Sequence, residues 1–119
     1  LPAKGAEIYF GSHGREVGIG QRFEVGVLVN TEGASVNAIE GTLRFPSDIA
    51  EVERIRDSGS IVSFWMEKPG GNNGVIRYAG IIPGGYAGAD GYVFSVFFRA
   101  VKTGEMAVAS SDERILLQD

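Results

Sequence analysis

The stretch RFEVGVLVN (22–30) decides the fold class, because it alternates between apolar and other residues at every second position. One set of alternate positions is apolar throughout: Phe23, Val25, Val27 and Val29. Successive side chains of a β-strand point to opposite faces of the sheet, so a period of two with one apolar set indicates a strand with one buried face. The stretch therefore predicts a half-buried strand.

The same period recurs in NAIEGTLRFP (37–46). Its inward positions are expected to be Ile39, Gly41, Leu43 and Phe45. Its outward positions are expected to be Ala38, Glu40, Thr42 and Arg44, which form a largely polar set. Pro46 has no backbone N–H to donate to a neighbouring strand, so we expect the strand to end there.

Six further segments read as strands, at about 6–10, 50–56, 74–80, 92–101, 105–110 and 114–119. In 50–56 the apolar residues fall out of phase by one, which indicates a bulge or a strand end. Segment 92–101 is apolar at both sets of positions, as in a central strand covered on both sides. Segment 59–69 is ambiguous between a strand and one helical turn, and no segment shows a helical period over ten residues. The sequence predicts an all-β protein of one domain, 1–119: an antiparallel β-sandwich with jelly-roll topology and about nine strands.

The glycine-rich stretch GIIPGGYAGADGYVF (80–94) could hold a phosphate, act as a flexible linker or shape a turn. It matches no phosphate-binding motif, and no helix follows whose N-terminus could bind an anion. Strands of one core flank it, which excludes a linker. We therefore expect a structured connection in which glycines adopt positive φ angles.

The composition narrows the function. The chain has 119 residues, a net charge of −4 and no cysteine. Its scattered basic residues argue against a nucleic-acid partner, and it has no apolar run long enough to span a membrane. Disulfides and thiolate metal sites are excluded.

Candidate catalytic residues are few. The single histidine, His13, lies in a glycine-rich connection and reads as an exposed loop residue. Glu51 and Glu53 lie on one strand face, where alternating acids are usually solvated. We predict no catalytic residues, no metal site and no cofactor. A structural Ca²⁺ held by oxygens of 46–48 and 111–114 stays an option, although no EF-hand loop is present.

Two kinds of binding surface remain. The aromatic residues Trp65, Tyr78, Tyr86 and Phe64 could stack against sugar rings if they formed an exposed strip, whereas burial in the core is the commoner fate of a lone tryptophan. The polar strand face of Glu40, Thr42 and Arg44, joined by Arg77 from a neighbouring strand, could contact a partner protein.

Several motifs, taken in order, resemble those of the cohesin domain, from the superfamily shared with bacterial cellulose-binding modules. They are LRFPSD (43–48), IAEVERI (49–55), GGYAGADG (84–91), VFSVFFRAV (93–101) and KTGEMAVA (102–109). The resemblance extends from about residue 6 onward. The region 57–74 is shorter than in most cohesins and is closer to cohesin-like domains found outside cellulosomes, in bacterial and archaeal surface proteins.

The resemblance implies a non-catalytic jelly roll that binds a dockerin, a small helical Ca²⁺-binding module, by one polar sheet face. By position, the implied contact residues are Glu40, Thr42, Arg44, Arg77 and Ala79. The expected function is therefore a binding module of an extracellular or cell-surface protein. The alternatives are a carbohydrate-binding module that holds polysaccharide through Trp65 and Tyr86, and a structural spacer.

Overall fold

The computed structural model describes residues 1–11 and 15–117, and the regular structure there consists of ten β-strands. They are β1 (Glu7–Phe10), β2 (Arg15–Val17), β3 (Arg22–Asn30), β4 (Val36–Arg44), β5 (Ala50–Arg56), β6 (Phe64–Gly70), β7 (Val75–Tyr86), β8 (Gly91–Ala100), β9 (Gly104–Met106) and β10 (Ala109–Leu117). The predicted strands at 22–30, 37–46, 50–56 and 92–101 are confirmed within two residues at each end.

Eight strands form two four-stranded antiparallel sheets. We call the sheet β10-β4-β7-β6 the front sheet and the sheet β1-β3-β8-β5 the back sheet; β2 and β9 form a short two-stranded ribbon. Strands adjacent in sequence, such as β3 and β4, lie in different sheets, as in a jelly-roll sandwich. The predicted all-β antiparallel sandwich is confirmed.

The glycine-rich stretch differs from the prediction. We expected the strand of 74–80 to give way to a loop, but β7 continues to Tyr86, which pairs with Val36 of β4. Gly84 and Gly85 have φ angles of 84° and 79° within this extension, so they supply a conformation that other residues rarely adopt. The glycines therefore change the direction of the last part of β7, and the loop that connects β7 to β8 begins only after Tyr86.

Three other boundaries were also mispredicted or left open. Segment 59–69, ambiguous in the sequence, contains the start of strand β6, and the short strand β2 was missed. The predicted strand at 105–110 divides between β9 and β10. The bulge expected in 50–56 is confirmed, because the pairing of β5 with β8 shifts between Val52 and Arg54.

The core lies between the two sheets and is built on the inward positions of β3, β4, β7 and β8. Phe98 of β8 is its aromatic centre. Its ring lies 5.5 Å from that of Phe23 and 5.0 Å from that of Phe45, measured between centroids. Phe94 meets Tyr78 of the front sheet edge to face at 5.1 Å. These contacts join the two sheets.

The outward side of β8 is covered in a way that the sequence did not indicate. We expected a second layer of structure there, but the cover consists of arginine side chains from β5. The Arg54 guanidinium lies 4.0 Å from the centre of the Phe97 ring, and that of Arg56 lies 5.4 Å from the centre of the Tyr92 ring. Cations attract the faces of aromatic rings, and the arginine stems exclude water from them. Apolar residues on both sides of β8 thus need no second layer.

Ion pairs complete this cover of the back sheet. Arg99 binds Glu51 at 2.6 Å, and Arg22 binds Glu53 at 2.9 Å. Glu51 and Glu53, considered above as candidate catalytic acids, are therefore engaged by arginines of β8 and β3. The outward side of the back sheet presents paired charges.

A buried tyrosine of β7 lies on the core side of the front sheet and reaches across to β4. Tyr78 is 2 % exposed, and its hydroxyl passes so close to Gly41 that a Cβ there would lie 2.6 Å from it. The hydroxyl lies beside that of Ser110, and their contact is too poorly aligned to satisfy either group fully, although it has the smallest, lowering effect on the phenol pKa. Burial first, and then the charge of Glu113, raises the pKa of the Tyr78 phenol well above its ordinary value of 10.

Replacing Tyr78 by phenylalanine is expected to raise the free energy of unfolding by about 1 kcal/mol at neutral pH, because it removes a buried hydroxyl that makes no well-aligned hydrogen bond. Since the raised pKa belongs to the folded state, the unfolded chain loses its phenolic proton first, and the wild-type protein loses stability as the pH rises above about 10. Denaturant unfolding at pH 7 and pH 11 checks both parts. The difference in unfolding free energy between variant and wild type should be larger at pH 11 than at pH 7. An unchanged or smaller difference would contradict this account.

Candidate functional site

The candidate site is the outward side of the front sheet, which we call the front face. Strand pairing fixes its members, since residues directly opposite each other in a sheet share a face. Glu40 of β4 lies opposite Ala79 of β7 and opposite Arg114 of β10, and Ala38 lies opposite Ile81 and Leu116. The face includes Ala38, Glu40, Thr42, Arg44, Phe64, Glu67, Arg77, Ala79, Ile81, Ser111, Arg114 and Leu116, and Met66 lines a depression on it.

The five residues predicted to contact a partner lie together on the two central strands of this face. Glu40 and Ala79 are partly exposed, and Arg44 and Arg77 are exposed. Thr42, however, is buried at 5 % exposure, which corrects the expectation that it faces solvent. It lies between Ser111 and Arg77 on a central strand, where both neighbouring strands flank it.

One half of the front face is apolar, and sequence reasoning missed it. Phe64 and Met66 of the edge strand β6 are 59 % and 71 % exposed. Met66 borders a depression of about 130 Å³. The depression is lined by Ala38, Ile39, Glu40, Met66, Ala79, Gly80, Ile81, Arg114 and Leu116. Such large apolar side chains side by side on a sheet face are typical of a surface that binds a partner.

The other half of the front face is charged, and most of its charges are already paired. Arg114 lies 3.6 Å from Glu40. Arg44 lies 3.7 Å from Asp112 and donates a hydrogen bond of 2.9 Å from Nε to the Ser111 hydroxyl. Arg77 is different: no described residue forms a salt bridge or side-chain hydrogen bond with it, and its side chain is exposed. The face thus offers an unpaired cation between paired ones.

The two aromatic residues of the carbohydrate alternative do not form an exposed strip. Trp65 is half-buried, packs against the core and points at Gly80, where a Cβ would lie 3.0 Å from its ring. Tyr86 is also half-buried against the core, with its ring beside Gly88 and Gly91. The exposed aromatic ring is that of Phe64, the neighbour of Trp65 in sequence, because adjacent residues of a strand point to opposite faces.

The remaining predicted features are placed as follows. His13 lies outside the described residues. Within residues 1–11 and 15–117, no three His, Asp or Glu side chains cluster in a way that could hold a metal ion. Of the oxygens considered for Ca²⁺, the Asp112 carboxylate is paired with Arg44. Structural calcium stays the untested option stated above. No helix in the described part of the chain is of a length and polarity to cross a bilayer.

No protein-family model matches the chain, and no significant match was found among curated proteins. Solved structures do resemble it. The non-cellulosomal cohesin of the hyperthermophilic archaeon Archaeoglobus fulgidus superimposes with a TM-score of 0.73 at 25 % identity, over 92 % of this chain and 76 % of that one.

Two clostridial structures share the fold at lower identity. The cohesin module of a family 33 glycoside hydrolase from Clostridium perfringens has a TM-score of 0.58 at 12 % identity, over the whole of both chains. A cohesin of Clostridium thermocellum, solved in a type I cohesin–dockerin complex, has a TM-score of 0.56 at 16 % identity, over 96 % of this chain and 92 % of that one. In its jelly-roll architecture the chain is thus similar to cohesin modules, among them one from outside cellulosomes.

Proposed function

We propose that the protein is a non-catalytic docking module that binds a dockerin-type protein partner through its front face. The observation that carries the proposal is the pairing, on one sheet face, of exposed Phe64 and Met66 with the unpaired Arg77. The opposite face of the sandwich offers no such combination, because arginines and glutamates cover its aromatic rings. The two faces are therefore not equivalent as binding surfaces.

The front face suits a partner whose surface likewise has an apolar part and a charged part. Apolar side chains of the partner would bury Phe64, Met66 and the depression beside them, where burial of aromatic and methionine side chains supplies much of the binding energy. A carboxylate or a helix C-terminus of the partner would meet Arg77, whose guanidinium can donate two parallel hydrogen bonds. The prearranged pairs Glu40–Arg114 and Arg44–Asp112 would border this contact and influence its orientation.

The structural likeness supports a dockerin as this partner. A cohesin with the same fold was solved bound to a dockerin, and the likeness to a non-cellulosomal cohesin supports a module outside cellulosomes. An extracellular or cell-surface location is part of the same proposal, since it is where cohesin modules act. Phe64 and Met66 add what the resemblance alone did not include, namely the apolar part of the contact surface.

Titration calorimetry with a panel of calcium-loaded dockerin modules tests the proposal, and pull-downs with insoluble cellulose and chitin serve as the competing arm. Binding of a dockerin that disappears with EDTA supports it, since removal of calcium unfolds the partner's site. Binding of polysaccharide without any dockerin signal would overturn it in favour of a carbohydrate-binding module. Absence of binding in both arms would also refute a dockerin-type partner.

Replacing Arg77 by glutamate is expected to weaken partner binding by about thirtyfold, equivalent to about 2 kcal/mol, because it places a repelling charge where a cation was available. The unfolding free energy should change by less than about 0.5 kcal/mol, since Arg77 makes no described ion pair. Lys102→Glu is the matched control: it makes the same change of charge at an exposed turn between β8 and β9. Equal losses for the two variants would indicate a long-range charge effect and would place the contact elsewhere.

A further inference from the structure

The two methionines of the chain occupy opposite environments. Met106 is 1 % exposed and belongs to the core, whereas Met66 is 71 % exposed at the edge of the front sheet. Oxidants in solution reach a thioether in proportion to its exposure. The chain therefore carries one reactive thioether and one protected thioether of the same chemistry.

Met66 also occupies a particular position on the front face. Its side chain lines the depression together with the apolar Ala38, Ile81 and Leu116, and the guanidinium-bearing Arg114 lines the same depression. The ion pair that Arg114 forms with Glu40 is long, at 3.6 Å, and exposed, so it holds Arg114 weakly. A strong hydrogen-bond acceptor formed at Met66 would thus find a donor nearby.

We propose that Met66 is an oxidation site whose sulfoxide switches off the apolar half of the front face. A peroxide is the oxidant: it transfers one oxygen atom to the Met66 sulfur, which loses two electrons, while the peroxide is reduced to water. The new sulfoxide oxygen accepts a hydrogen bond from Arg114. A dithiol reductant restores the thioether: two thiols are oxidised to a disulfide and the sulfoxide oxygen leaves as water, the reaction of methionine sulfoxide reductases.

The consequence for binding rests on the proposed function. A sulfoxide is strongly polar, so burying it against an apolar partner costs free energy that a thioether does not cost. The hydrogen bond to the sulfoxide also moves the Arg114 side chain over the depression, which reduces the apolar area that a partner can contact. Partner binding should weaken by about tenfold or more, which corresponds to about 1.4 kcal/mol.

The first arm of the test needs no partner. The protein is treated with hydrogen peroxide, sampled over time, digested and mapped by mass, and the NMR signal of the Arg114 guanidinium N–H is followed in parallel. Met66 should gain one oxygen at least about tenfold faster than Met106, and the Arg114 signal should shift in step with it. Met66→Leu should abolish that shift. Equal oxidation rates in the folded protein, or an Arg114 signal that does not respond, would overturn the proposal.

The second arm measures binding. Peroxide is removed with catalase before a dockerin is added, so the partner itself is never oxidised. Peroxide treatment should weaken binding by the wild-type domain and leave the affinity of Met66→Leu at its own starting value. An equal loss in both would refute the switch. If no dockerin binds even untreated protein, the failure lies in the proposed function, and the first arm still decides whether Met66 is the oxidation site coupled to Arg114.

Discussion

Replacing Phe64 and Met66 together by serine is expected to weaken partner binding by about 100-fold or more. These are the two most exposed large apolar side chains of the front face, at 59 % and 71 % exposure. Truncating a side chain of this kind at the centre of an interface commonly costs about 2 kcal/mol or more, and two such losses combine to at least a hundredfold. Titration calorimetry of the double variant against the dockerin that binds wild type measures the effect.

Folding should be almost unaffected by this change. Since both side chains already contact water, their replacement should alter the unfolding free energy by no more than about 0.5 kcal/mol each. Ile19→Ser is the matched control, because Ile19 is 71 % exposed in the turn that precedes β3 and lies off the front face. Unchanged binding by the double variant, or an equal loss with Ile19→Ser, would show that the apolar half of the front face does not contact the partner.

The sandwich could be predicted from the sequence because its central strands each bury one face. In β3 the apolar period of two is uninterrupted, so the strand, its bounds and its inward side all follow from the pattern. In β4 the inward side follows from the same period, whereas the observed strand begins one residue earlier and ends two residues earlier than the predicted 37–46. The end of β7 could not be predicted in this way. Gly84 and Gly85 have no side chains to show a period, and the same residues that favour a turn here allow a strand to continue with positive φ angles.

The candidate site was predicted in part. The polar residues of β4 and β7 follow from alternation together with the resemblance to cohesins, and the structure brings these strands side by side. The contribution of β6 did not follow, because its pairing with β7 shifts twice, between Trp65 and Glu67 and between Glu67 and Gly70. Each shift breaks the alternation that would have assigned Phe64 and Met66 to a face.

Thr42 shows a further limit of pattern reading. Alternation correctly places it on the same side of β4 as Glu40 and Arg44, yet it is buried while they are not. Alternation reports direction, whereas exposure also depends on the neighbours across the strands, here Ser111 and Arg77. A short side chain on a central strand is flanked by residues of both neighbouring strands, and no single-strand pattern contains that information.

The largest effect on stability is expected from Phe98→Ala. Phe98 is fully buried between the sheets and contacts the rings of Phe23 and Phe45. Its removal should lower the free energy of unfolding by about 3–5 kcal/mol, through the lost burial of the ring and the cavity left behind. For a domain of ordinary stability, about 5–15 kcal/mol, that is a large part of the total. Denaturant unfolding followed by the fluorescence of Trp65 measures it.

Phe97, the neighbour of Phe98 in sequence, is the control, because its side chain lies on the opposite side of β8. Phe97 points away from the core, and the Arg54 guanidinium lies over its ring, so Phe97→Ala should cost only about 1–2 kcal/mol. Arg54→Ala should reproduce part of that loss, because it uncovers the ring without removing it. If Phe97→Ala proved as costly as Phe98→Ala, the outward side of β8 would have to be covered by more than arginine side chains. The difference between the two outer faces of the sandwich, from which the docking site is assigned to the front sheet, would then no longer hold.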